Sequence, residues 1–92
     1  MFSWDETKRR SNLEKHGVDF NFAAELDWDR AVLRHDRRKD YGEDRLIAFV
    51  FHPAEERLYV AVLTPRPPDL RLISLRKANH REQRDWRRLH DN

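Results

Sequence analysis

The side chains of this chain best suited to chemistry are basic. His16 closes a polar stretch, with Lys15 before it and Lys8 two turns upstream. On a helix at 100° per residue, Asp5, Arg9, Asn12 and His16 fall within about 60° of arc, and Lys8 and Lys15 flank them. Histidine titrates near neutral pH, and beside lysine and arginine it suits proton transfer at a phosphate. Leu13 is the only clearly apolar residue between positions 6 and 16. A helix that is polar almost all round needs a reason to stay put. One reason is function. The other is a surface helix held by its caps and by charge pairs such as Glu14 with Arg10.

A second basic group, Arg71, Arg76 and Lys77, lies on and just after the apolar run Leu70–Leu75. Side chains alternate on a strand, so Arg71 is expected to point with Ile73 and Leu75. An arginine there is either an oxyanion or phosphate clamp or a side chain snorkelling at a sheet edge. The net charge of +2 hides an uneven distribution. Residues 66–92 hold eight basic and four acidic side chains, whereas residues 19–65 hold seven and ten. His35, Asp36, Asp40, Glu43 and Asp44 raise the question of a metal, but their spacing lacks the regular carboxylate pattern of a hard-cation loop. His52, His80 and His90 are single and read as surface residues. No Ser-centred elbow, Gly-rich phosphate loop or HExxH motif is present. The absence of cysteine excludes a disulfide scaffold and a thiol nucleophile.

These residues sit in a chain long enough for one domain, residues 1–92. Charged residues make up 39%, well above the ~25% of an average soluble domain. No apolar run is long enough to span a membrane, and the N-terminus lacks the apolar core of a signal peptide, so the expected compartment is the cytoplasm. Phe2–Trp4 reads as a short edge strand. Asp5 caps a first helix, and Gly17 with the Leu13/Val18 pair suggests a Schellman ending. Asp19 caps a second helix expected over 20–27. Ala31–Arg34, Arg45–Phe51, Leu58–Thr64 and Leu70–Leu75 read as strands. Thr64–Asp69, with three prolines, is a stiff turn. Asn79 caps the last helix, with Glu82 placed for a capping box and Trp86 and Leu89 as its apolar stripe. Strands joined by short loops imply antiparallel pairing and an α+β class.

The run Trp4-Asp5-Glu6-Thr7-Lys8, then Asn12, Lys15-His16-Gly17-Val18, Phe20 and Ala23, resembles the start of BrnT-type toxins. Asp40, Gly42-Glu43-Asp44-Arg45, Thr64, Arg66, Arg71-Leu72-Ile73-Ser74, Arg76-Lys77-Ala78 and Glu82 continue the likeness across about the whole chain. Three places depart from it. Phe49-Val50-Phe51 stands where a Gly or small residue is typical, Ser74-Leu75-Arg76 replaces Ser-Ala-Arg, and Trp86 replaces a Tyr.

The resemblance implies a RelE-like α+β domain. Two N-terminal helices and a C-terminal helix would pack on a mainly antiparallel sheet of about four strands. It implies the toxin of a type II toxin–antitoxin system, a metal-independent endoribonuclease that cleaves RNA and inhibits translation. The implied partner is a BrnA-like ribbon-helix-helix antitoxin, through which the complex would reach operator DNA. No cofactor, metal or membrane is implied.

Such cleavage needs a base for the 2′-hydroxyl proton, an acid for the 5′-oxygen and cations for the charge on phosphorus. His16 is the candidate acid or base, assisted by Lys15. Arg45, Arg71 and Arg76 are the candidate charge stabilisers, and Lys8, Lys77 and Arg81 the candidate RNA-backbone ligands. The departures motivate a second class of function, a non-catalytic toxin-like scaffold that binds RNA or its antitoxin.

Overall fold

A computed structural model describes residues 1–90. The chain runs β1 (Phe2–Trp4), α1 (Glu6–His16), a 3-10 helix (Phe20–Glu25), β2 (Asp27–His35), β3 (Leu46–His52), β4 (Arg57–Arg66), β5 (Asp69–Lys77) and α2 (His80–His90). The strands form one five-stranded sheet in the order β1-β5-β4-β3-β2. β1 pairs parallel to β5, and the remaining neighbours are antiparallel. The sheet is thus mixed and has five strands rather than about four.

There is also one N-terminal α-helix, not two. Phe22 N–H donates to the Asp19 carbonyl and Leu26 N–H to the Ala23 carbonyl, three residues back. Phe20, Ala23 and Leu26 are all buried. Apolar residues at a spacing of three line up on a 3-10 helix, whereas they would drift around an α-helix. β2 begins at Asp27, four residues before the expected strand, with an irregular register between Asp27 and Val32. β4 runs on through Pro65 to Arg66, and Pro67-Pro68 makes the turn into β5.

The two faces of the sheet are covered differently. On one face, Ala48, Val50, Tyr59, Ala61, Leu63, Leu72 and Leu75 meet Val18, Phe20, Ala23 and Leu26 in the main core. On the other, Leu58, Val60 and Ala78 form a smaller cluster with Ile47, Phe49, Phe51 and Trp86. His52 extends the first set as the last residue of β3. It is buried rather than on the surface, stacked on Phe22 with ring centroids 4.8 Å apart, and its Nδ1 accepts the Glu55 N–H.

α1 is capped at both ends. The Asp5 carboxylate accepts from Thr7 N–H and Lys8 N–H at 2.8 and 3.2 Å. Gly17 adopts φ +72°, and its N–H donates to the Leu13 carbonyl. That single bond is the simple left-handed ending, not the expected Schellman form. Asn12 fixes α1 against the sheet. Its Oδ1 accepts the Leu75 N–H at 3.0 Å, and its Nδ2 donates to the Leu75 and Val18 carbonyls at 2.8 and 3.0 Å. A side-chain amide therefore does at β5 what a neighbouring strand would do.

Candidate functional site

β5 positions most of the candidate arginines, and a bulge decides where they point. Val62 pairs with Ser74 but Leu63 pairs with Leu72, so Ile73 is the extra residue. The insertion lets Leu72 and Leu75 both enter the main core despite their odd spacing. Arg71 and Leu75 consequently lie on opposite faces, contrary to simple alternation. Arg71, opposite Thr64, and Arg76, opposite Val60, share the face that carries α2. Lys77 pairs with Tyr59 on the other face and lines a separate hollow with Gly17 and Phe22.

At the α2 end, Arg76 makes a two-pronged contact with Glu82, Nη1 to Oε1 at 2.8 Å and Nη2 to Oε2 at 2.9 Å. Glu82 Oε1 also accepts the Asn79 N–H, while Asn79 Oδ1 accepts the Glu82 N–H, the capping box expected from the sequence. The Arg76 hydrogen bonds, aided by the Asn79 N–H, hold the Glu82 carboxyl below its usual range. His16 lies half-buried at the end of α1. Burial first, then the charges of Lys15 and Arg76, push its pKa down from 6.5. The imidazole is thus neutral at pH 7 and able to accept a proton. Lys15 is exposed beside it.

At the other end of β5 lies an open cleft of about 300 Å³. Lys8 enters it from α1, Arg45 from the residue just before β3, Arg66 from the end of β4 and Arg71 from β5. Arg45 is held flat against Tyr41, its guanidinium carbon 4.0 Å from the ring centroid. Tyr41 is fixed in turn by donating its hydroxyl to Asp36 at 3.0 Å. Asp36 is buried and grips Arg38 through both carboxylate oxygens at 2.9 and 2.8 Å, which holds its carboxyl well below the usual range. Thr64 Oγ1 donates to the Asp44 carbonyl and ties the loop to β4.

The structure therefore brings His16, Lys15 and Arg76 to one end of a sheet face and Lys8, Arg45 and Arg71 to the other. Lys77 is on the opposite face. Arg81 is exposed on α2 and makes no hydrogen bond or ion pair among the described residues. Sequence reasoning gave no chemical part to Arg66, Tyr41 or Glu82, and weighed Glu43 only as one of a set of possible metal ligands. All but Tyr41 lie in the quoted blocks, and Tyr41 is the lone aromatic in a polar loop. Three of the loop carboxylates have separate partners. Asp36 takes Arg38, Asp40 takes the Gly42 N–H, and Glu43 lies between Arg45 and Arg66. Among the described residues no three His, Asp or Glu side chains converge as metal ligands, and no helix is long and apolar enough to cross a membrane.

No significant match to a curated protein was found. A family model described as the ribonuclease toxin BrnT of type II toxin–antitoxin systems matches residues 4–82. That span takes in both ends of the basic face, from Lys8 to Glu82, and the chain belongs to the BrnT family of ribonuclease toxins.

Proposed function

We propose that the protein is a metal-independent endoribonuclease that cuts RNA on the sheet face between α1 and α2. The carrying observation is the collection of cations from α1, the lead into β3, β4 and β5 at one end of that face, with a half-buried imidazole that favours its neutral form at the other. Neutral His16 takes the proton of a ribose 2′-hydroxyl. The 2′-oxygen attacks the adjacent phosphorus, the bond to the 5′-oxygen breaks, and a 2′,3′-cyclic phosphate and a 5′-hydroxyl result. Arg76 offsets the growing negative charge, and Lys15 supplies a cation and a proton near the leaving oxygen. The carboxylates of Asp36, Asp40 and Glu43 already have partners of their own, which favours chemistry carried by side chains over a metal ion.

Cleavage of cellular RNA halts translation. A BrnA-like antitoxin with a ribbon-helix-helix domain would cover the basic face and carry the pair to operator DNA. The test is cleavage of RNA by purified protein with EDTA present, with and without ribosomes. Cleavage that resists EDTA and disappears in His16→Ala is expected. Activity restored only by Mg²⁺ overturns the metal-free reading, and full activity in a folded His16→Ala variant removes His16 from the chemistry.

A further inference from the structure

Several arginines are gripped closely by a carboxylate, whereas others, including those of the cleft, meet one only loosely. Arg9 meets Asp19 at 2.8 Å, Arg38 meets Asp36 at 2.8 and 2.9 Å, and Arg76 meets Glu82 at 2.8 and 2.9 Å. These are tight charge-assisted bonds. In the cleft at the start of β5 the contacts are loose. Arg66 is 3.3 Å from Glu43, Arg45 is 3.5 Å from Glu43, and Arg71 is 3.8 Å from Asp5. Lys8, the fourth cation, forms no ion pair among the described residues. The buried Nε of Arg45 has no hydrogen-bond partner. Each guanidinium has five N–H donors, so most of the donor capacity in this cleft is unused. The four cations face two carboxylates, which leaves a local positive excess. Glu43 and the Tyr41 ring hold the guanidiniums towards the cleft without saturating them.

The cleft is also separate from His16. Arg71 and Arg76 are five residues apart with one bulged, which at about 3.3 Å per residue puts their Cα atoms roughly 13–15 Å apart. Their side chains are drawn to opposite ends, towards Asp5 and towards Glu82. One phosphate cannot touch both sets.

We propose that the cleft formed by Lys8, Arg45, Arg66 and Arg71 is a second phosphate subsite, which takes an RNA backbone phosphate more than one nucleotide from the bond cut beside His16. This rests on the reading of the chain as an RNA-cleaving enzyme with its chemistry at His16. It moves Arg45 and Arg71 from charge stabilisation to substrate binding, adds Arg66 to them, and makes the enzyme sensitive to substrate length.

The experiment measures binding of uncleavable 2′-O-methyl oligoribonucleotides, from dinucleotide to octanucleotide, and in parallel kcat and KM for the cleavable series. Affinity for the full-length protein should step up at the length that spans both ends of β5. Arg66 is 54% exposed, so Arg66→Ala leaves the fold in place and is the primary variant. It and Arg71→Ala should remove the step, roughly tenfold in affinity, and raise KM for long RNA. Dinucleotide binding and kcat should stay unchanged. Arg30→Ala, which removes the same charge from β2, should keep the step. The proposal is overturned if the step survives in Arg66→Ala, if Arg30→Ala removes it equally, or if Arg66→Ala lowers kcat on the dinucleotide. A wild-type protein that shows the step, loses it in Arg66→Ala and cleaves nothing would sink the catalytic reading and leave the subsite standing.

Discussion

α1 and α2 are both eleven-residue helices made mostly of charged and polar side chains, yet they are held in different ways. α1 has one buried residue, and it is polar. Asn12 saturates both backbone groups of Leu75 and the carbonyl of Val18. α2 has the more obvious apolar stripe and no buried residue at all. Trp86 lies parallel to Phe51 with centroids 6.4 Å apart, Leu89 stays 57% exposed, and the Arg76–Glu82 pair fastens the first turn. A single amide whose bonds are all satisfied therefore anchors a helix more definitely than an aromatic laid on a half-open face. Buried polar groups tolerate little misplacement, whereas apolar contact is forgiving.

The largest expected effect is at Asn12. Asn12→Ala strands one buried N–H and two carbonyls, each costing about 1–3 kcal/mol, so a loss of about 3 kcal/mol or more is expected in urea unfolding. Trp86→Ala should cost about 2 kcal/mol, below the range for a fully buried aromatic because Trp86 is only half-buried. It should speed amide exchange in α2 and leave α1 protected. If Trp86→Ala proves costlier than Asn12→Ala, the ranking of the two helices is reversed.

Gly17→Val should cost roughly 1–2 kcal/mol. A Cβ there meets nothing within 4 Å, so the penalty is the backbone at φ +72° alone. Gly17→Asn should therefore cost much less, and equal losses would mean that the ending of α1 does not depend on its handedness.

Acid separates the helices further. The folded carboxyl of Glu82 titrates below its unfolded value of 4.5. Its contribution is complete above about 4.5 and is lost as pH falls through the lowered value. The tie of α1 through Asn12 does not titrate. Hydrogen exchange should thus show the first turn of α2 loosening as pH falls through that lowered value, while the Asn12 tie of α1 persists. The smallest effect is a titration shift. NMR should place His16 below 6.5, and Arg76→Ala should move it up, because one of the charges opposing its proton is gone.

Much of the fold was legible because it is written locally. Asp5, Gly17 and the Asn79/Glu82 box mark the helix ends through neighbouring backbone atoms, and alternating apolar runs mark β3 and β4. The bulge at Ile73 was not legible. It depends on how β4 and β5 register, and it reversed the expected company of Arg71. Phe20–Glu25 misled because aromatic and alanine residues suit either helix type, and only burial of the period-three stripe decides. His16 with Arg76 could be paired only through family resemblance, since sixty residues separate them. The division of the cations into two groups needed coordinates, because it turns on which carboxylate each arginine reaches.

The Asn12 amide also has a bearing on self-association. A strand with free backbone groups along its outer side is a template for further strands. β5 has β1 against it at Leu70–Leu72, and the Leu75 N–H and carbonyl are already spoken for by α1. The two rims of the sheet are β1, three residues long, and β2, nine residues long. The geometry that fastens a polar helix thus also occupies backbone of β5 beyond the short reach of β1 that would otherwise stand ready for a foreign strand.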